Sequence, residues 1–380
     1  LGQNRLKIGI SGSYGGCNLG DEAILQSIVT CIRHSYKDES PEITVFSRNP
    51  EDTMKRHKNV VDRSIPVRDF TPNEIMPELK RLDLFVLGGG GILFEGEARN
   101  FLREVEIANQ LDVPVMVYAI GTGPLEDLSL QKYVRKTLSR AEVITVREKS
   151  GQKFLEELGI NKEVIVTADP AFLLSAEEVS REDLLSEGFK ETGNLVAISV
   201  REPGQAAPDL DEDVYLSLIA DAADFIVDRF EADVVFIPME PKDIQHSHGV
   251  ISRMLQAKEA RVLKGDYTSG QVMDIMTRFS FAVGMRLHFL IFAALQGIPF
   301  VALPYASKVR GLLNDLEIKM PPLRLVNAGR VAAYIDRFWD EKEEIKNKIS
   351  QKLPGLKKRA LQNNQLLKDL IKRLQEEKNK

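Results

Sequence analysis

Short apolar runs alternate with longer stretches of helical period along the chain, and several of those runs end at glycine. Leu6–Ser11, Glu42–Ser47, Leu82–Leu87, Val113–Ile120, Glu142–Val146 and Val164–Val166 read as strands. Helical period fills Gly20–Arg33, Asn100–Leu111 and Leu130–Arg140. A strand that is apolar at nearly every position, rather than at every second one, is buried on both faces. That selects a parallel sheet with helices on either side. A polar stretch at 175–194 carries Gly188 and Gly193, and then the alternation restarts. Leu195–Val200, Asp233–Pro238, Arg261–Leu263, Phe281–Gly284 and Phe300–Leu303 read as strands, with helices over Asp213–Arg229, Val250–Gln256, Ser269–Arg278 and Leu287–Gln296. The fold class is α/β: two Rossmann-like domains with parallel sheets, over residues 1–180 and 190–335, followed by amphipathic basic helices over 336–380. Ligands of such sheets bind at the carboxyl ends of the strands, so the cleft between the halves is the expected site.

Composition narrows the function. A chain of 380 residues has room for two domains, and 43% hydrophobic with 28% charged residues is ordinary for a globular protein. The net charge of −5 argues against a nucleic-acid partner. Two cysteines, Cys17 and Cys31, cannot staple a chain of this length, so a reducing, cytoplasmic compartment is expected. No apolar run approaches the roughly 18 residues of a membrane span, and the first residues show no secretory apolar region. The last forty residues hold twelve Lys or Arg against six Asp or Glu, with apolar residues at helical spacing and a break expected at Pro354-Gly355. They read either as a helix packed on a domain or as a basic surface meeting the inner membrane leaflet.

Six segments carry candidate chemistry. Gly12-Ser-Tyr-Gly-Gly-Cys-Asn-Leu-Gly-Asp-Glu follows the first strand and offers Tyr14, Asn18, Asp21 and Glu22 at its end. Its glycine spacing matches neither a dinucleotide fingerprint nor a P-loop. Gly88–Gly91, with Gly89 and Gly90 at its centre, reads as a loop pressed against a ligand or another backbone, and Gly121-Thr-Gly-Pro as a third such loop. Arg147 ends an apolar strand, where its guanidinium could hold a carboxylate or phosphate or pair with Glu148 or Glu22. In Gly284-Met-Arg-Leu-His, Arg286 and His288 fall at the start of a very apolar helix, an end that attracts anions. Lys308 and Arg310, in Pro304-Tyr-Ala-Ser-Lys-Val-Arg-Gly, would complete a cationic mouth beside His288, and Arg201 ends the equivalent strand of the second half. His34 and His57 read as surface residues. His246 and His248 sit in a predicted loop without further ligands at metal spacing, so no metal is expected. Cations gathered in an acidic protein imply an anionic ligand.

These segments resemble the polysaccharide pyruvyl transferases, closest to the branch of S-layer-associated cell-wall ketal-pyruvyl transferases. The resemblance runs from Lys7 to Gly311. Its carriers are Gly12–Leu25, Gly88–Leu93, Gly121–Leu125, Thr145–Ser150, Thr167-Ala-Asp-Pro-Ala and Gly284–Pro299. It implies a GT-B-like fold of two facing Rossmann-like domains, with no cofactor. Phosphoenolpyruvate is the implied donor, and the implied acceptor is a lipid-linked wall-glycan precursor, made into a 4,6-ketal on β-linked N-acetylmannosamine. The family's functional Arg and His fall on Arg147 and His288, and a cationic position falls on Lys308. The branch has a second aromatic where this chain has Ser13.

The residues suit that chemistry. Protonation of the enol ether's methylene carbon needs a general acid near neutral pH, for which His288 is the candidate. Arg147, Lys308 and Arg310 would stabilise phosphate and carboxylate. Asp21, Glu22 and Glu95 are the candidate bases, unranked. The competing reading is a GT-B glycosyltransferase using a nucleotide sugar, for which Glu240 is available but no ribose-binding motif stands out. A non-catalytic wall-glycan module is a third reading, disfavoured by the missing secretory segment.

Overall fold

The computed structural model describes residues 5–36, 40–189, 193–202, 211–303, 307–319 and 327–378. Two compact units divide the chain. The first comprises Leu1–Leu174 with Lys357–Lys380, and the second Ser175–Leu356.

In the first unit the strands are β1 (Lys7–Ser11), β2 (Glu42–Ser47), β3 (Arg63–Pro66), β4 (Leu84–Leu93), β5 (Val115–Thr122), β6 (Val143–Val146) and β7 (Val164–Val166). The helices among them are α1 (Leu19–Ser35), α2 (Pro50–His57), α3 (Pro72–Lys80), α4 (Ala98–Gln110), α5 (Leu128–Leu138) and α6 (Lys149–Glu157). Among the described residues the strands form one parallel sheet in the order β3-β2-β1-β4-β5-β6-β7. Ile8, Ile10, Val45, Leu84, Val86 and Val117 are fully buried, as unbroken apolar strands require. Asn18 starts α1 by accepting from the amides of Gly20 and Asp21, and Asp21 and Glu22 follow where the helix dipole favours negative charge.

The second unit carries α7 (Arg181–Ser186), β8 (Asn194–Ser199), α8 (Glu212–Phe230), β9 (Ala232–Phe236), α9 (Pro241–Ile251), β10 (Ala260–Val262), α10 (Ser269–Met276), β11 (Phe281–Gly284), α11 (Leu287–Leu295), β12 (Phe300–Ala302), α12 (Ser307–Asp315) and α13 (Ala328–Asp340). Its strands are parallel in the order β10-β9-β8-β11-β12. The last helix, α14 (Lys342–Lys378), lies in the second unit up to Leu356 and in the first from Lys357.

Four local expectations are corrected. Gly88–Gly91 is not a loop: β4 runs through it, pairing Gly88 with Tyr118, Gly90 with Ile120 and Gly91 with Gly121. β3 is a strand that its short, half-polar sequence did not reveal. His246 and His248 lie in α9, which Pro241 starts and which ends at Ile251, so Val250–Gln256 is not the helix. α14 continues through Pro354 and Gly355. Both residues are exposed, and the apolar stripe on either side is buried, so packing outweighs the one amide bond that proline removes.

Candidate active site

Both sheets reverse their strand order once, between β1 and β4 in the first and between β8 and β11 in the second. The helices after two such strands leave toward opposite faces, which opens a crevice at the strands' carboxyl ends.

In the first unit Tyr14 folds under the Gly12–Asn18 turn and is fully buried. A Cβ on Gly12 would lie 2.7 Å from its ring, and one on Gly88 2.3 Å from its Oη. Those glycines therefore make room for a side chain of the same unit, where a ligand was expected. Gly89 packs on Ile24 in the same way, whereas Gly90, at φ 93°, faces the Asp21 carboxylate. The Tyr14 hydroxyl has no hydrogen-bond partner among the described residues. Burial, then the Asp21 and Glu22 charges, raise its pKa well above the usual phenol value, so it stays protonated.

Glu22 is buried and fully engaged. Its Oε1 accepts from the Gly15 amide at 2.8 Å, and its Oε2 meets His57 Nε2 at 2.8 Å. His57 Nδ1 meets Gln26 Oε1 at 2.7 Å. The expected surface position of His57 is thus overturned. Lys55 and Lys58 close by in the sequence are exposed, while His57 itself is 4% exposed. Glu22 pins the glycine turn through one oxygen and meets His57 through the other. Glu95 is exposed and accepts from the Glu126 amide at 2.8 Å. Asp21 is half-buried in the first turn of α1, its Oδ1 3.2 Å from where a Gly90 Cβ would stand.

Arg147 is 6% exposed and directs Nη1 to Asp169 at 2.8 Å, not to Glu148 or Glu22. Burial opposes its charge, but the Asp169 and Glu148 carboxylates more than offset this and hold it protonated. The guanidinium lies flat on β5: a Cβ on Gly121 would come within 2.6 Å of Nη2. Its Nη2 also stands 3.8 Å from where a Gly91 Cβ would be, beside the exposed backbone of that glycine. Behind the pair, Asn363 of α14 is fully buried. Its Oδ1 accepts from the hydroxyls of Thr145 (2.6 Å) and Thr167 (2.9 Å), each two residues before a member of the pair. Thr145 in turn accepts from the amide of Ala119, whose φ of 50° marks a bulge in β5.

In the second unit Arg286 is the N-cap residue of α11 and His288 lies in its first turn, half-buried on a helix that is buried from Phe289 to Ala294. The Arg286 guanidinium turns back to Asp243 and Glu240, with Nε 3.0 Å from Asp243 Oδ2. Burial disfavours its charge, but the two carboxylates outweigh this and hold it protonated. Its charge is therefore matched within the unit. Glu202, Glu240 and Asp243 bring carboxylate oxygens within 4.8 Å of one another, and Arg286 supplies their counter-charge. Arg201 pairs with Glu202 at 2.7 Å, and His246 approaches Glu212 at 3.3 Å. Lys308, half-buried, and Arg310, exposed, open α12. The preceding 304–306 of that motif lie outside the described residues.

Sequence reasoning named Asp169 only inside a motif and missed Asp243, His57 and Asn363 as partners. Asp169 has a readable signal, since it lies three residues past β7, the strand beside β6, which Arg147 directly follows. Asp243 has none, because the polar run through Gln245-His-Ser-His-Gly reads as a loop. The sequence profile of the family described as polysaccharide pyruvyl transferase matches residues 18–307. The chain belongs to that family. It is a polysaccharide pyruvyl transferase, an enzyme that transfers pyruvate onto polysaccharide. The amylovoran biosynthesis protein AmsJ of Erwinia amylovora is 19% identical over 417 residues, spanning 97% of this chain and 99% of that protein. Among solved structures, the UDP-GlcNAc 2-epimerase of Neisseria meningitidis aligns with a TM-score of 0.68 at 10% identity, over 96% of this chain and 99% of that one. The UDP-N-acetylglucosamine 2-epimerase of Rickettsia bellii aligns with a TM-score of 0.60 at 12% identity, over 98% of each chain. These likenesses show that this pyruvyl transferase has a GT-B-like fold.

Proposed function

We propose that this transferase takes pyruvate from phosphoenolpyruvate and closes a ketal on a sugar of a lipid-linked wall-polysaccharide precursor, as in the S-layer-associated branch. The observation that carries the reading is the family match together with the half-buried His288 in the first turn of the apolar helix α11. His288 donates a proton to the methylene carbon of the enol ether. One acceptor hydroxyl attacks the resulting cationic centre and releases its proton to a base, for which Asp21, Glu22 and Glu95 are the candidates. The C–O bond to phosphate then breaks, and the second hydroxyl closes the ring, its proton leaving with the phosphate. Lys308 and Arg310 stabilise the phosphate and carboxylate charges, and the outer edge of Arg147 contributes beside Gly91.

The acceptor is a β-linked N-acetylmannosamine, joined as its 4,6-ketal. The enzyme works in the cytoplasm, against the inner leaflet. The deciding assay is phosphate release that requires both phosphoenolpyruvate and a sugar acceptor. His288→Ala should lower that rate by roughly 10²–10⁴-fold. Near-normal turnover in this variant would remove His288 from the chemistry. Turnover with a nucleotide sugar in place of phosphoenolpyruvate would overturn the donor.

A further inference from the structure

A second cationic feature of the first unit has no part in the reading above. Arg48 directly follows β2, and Arg68 lies two residues beyond β3, its parallel neighbour, so both leave the same carboxyl edge of the sheet. Both guanidiniums sit over the Phe101 ring of α4, at 5.6 Å and 5.2 Å from its centre. They share one carboxylate: Glu97 Oε2 is 3.2 Å from Arg68 Nη2 and 3.8 Å from Arg48 Nη2. The next guanidinium, Arg103, is committed to Glu104 at 2.9 Å and to the carbonyls of Val67 and Phe70. Three cations thus face two carboxylates.

Like charges held together in a half-buried place cost free energy unless an anion joins them. The Arg48 and Arg68 side chains are 35% and 30% exposed, open enough to be reached and covered enough to strengthen a charged contact. The Nε of Arg48 is buried and has no hydrogen-bond partner among the described residues. Above it lies the exposed Gly16, where even a Cβ would stand 3.8 Å from Arg48 Cδ and Nη1. That leaves the glycine turn clear for an approaching group.

We propose that Arg48 and Arg68 form a binding site for a phosphate-class anion, a phosphomonoester or a diphosphate carried by a substrate. One guanidinium satisfies a carboxylate, whereas a phosphate brings enough oxygens and charge for two. The shared chemistry fits the phosphate of the donor or that of a phosphorylated acceptor.

Calorimetric titration of the full chain with inorganic pyrophosphate, inorganic phosphate and phosphoenolpyruvate tests the site without turnover. Arg48→Gln and Arg68→Gln, with unchanged melting temperatures, should each weaken pyrophosphate by about tenfold or more. Glu97→Gln removes the competing carboxylate and should tighten it several-fold, a gain that misfolding cannot imitate. Arg140→Gln, on the opposite edge and paired with Asp112, should change nothing. Parallel loss of phosphoenolpyruvate binding in the two arginine variants assigns the site to the donor. Unchanged phosphoenolpyruvate binding assigns it to the acceptor. The proposal is overturned if pyrophosphate and phosphate fail to bind the wild type, if the arginine variants bind them equally well, or if Glu97→Gln brings no tightening. Failure of phosphoenolpyruvate alone to bind would count against the donor reading and leave this site standing.

Discussion

The Arg147–Asp169 pair shows how a charged residue becomes part of the scaffold. Both side chains are only 5% exposed, so neither has water to fall back on. Asp169→Asn keeps the shape but removes the counter-charge. It should destabilise the first unit by about 3–5 kcal/mol in denaturant titration. A loss below about 1 kcal/mol would mean that water or another carboxylate already reaches Arg147. The strand-edge positions of both residues were legible, Arg147 directly after Val143–Val146 and Asp169 three residues after Val164–Val166. Their mutual pairing was not, since residues 22 apart are joined only by the parallel register of β6 and β7. Asp62 gives a pH signature. Burial raises its pKa, but the hydrogen bond from the Ile43 amide and the Arg33 guanidinium lower it further, leaving it below the usual carboxylate range. Its contribution to stability is present above the unfolded value near 4 and is lost as pH falls through the folded one. Asp62→Asn should therefore flatten the decline in stability between neutral pH and about pH 3, followed by melting temperature.

At the scale of elements, the glycines of β4 and β5 carry the main lesson. Four in a row read as a loop, because glycine weakens a strand. In the sheet they are instead the floor on which Tyr14, Ile24 and Arg147 lie. Only the fold brings those side chains over them, so spacing could not show it. Gly121→Ala tests the point. The added methyl meets a guanidinium tied to Asp169, and relief requires Arg147 to move. If Arg147 serves the reaction, a shift near 1 Å should lower turnover about a hundredfold while the enzyme stays folded by circular dichroism. Full activity in this variant would release Arg147 from its assigned role.

On the whole-molecule scale, the basic tail changes meaning most. Its apolar stripe is consumed: Ile345, Ile349 and Leu356 are buried in the second unit, and Ala360, Leu367, Leu370 and Ile371 in the first. No described helix is long and apolar enough to cross a membrane. Contact with a leaflet would then rest on exposed charges such as Lys357 and Lys358. Binding to anionic vesicles should be abolished by roughly 0.5 M salt and weakened by Lys357→Glu with Lys358→Glu. Binding that survives high salt would require an inserted apolar surface instead. The sequence by itself determined two parallel α/β sheets, the strand edges that bear the candidate chemistry, and the family, because apolar period and glycine-ended strands act over a few residues. Tertiary structure alone decided which charges are already matched. Arg147, Arg286 and Glu22 meet partners 22, 43 and 35 residues away, while Arg48 and Arg68 share a single carboxylate. Charge balance in a folded protein is a property of distance in space, and a parallel sheet sets that distance by register and strand order rather than by separation along the chain.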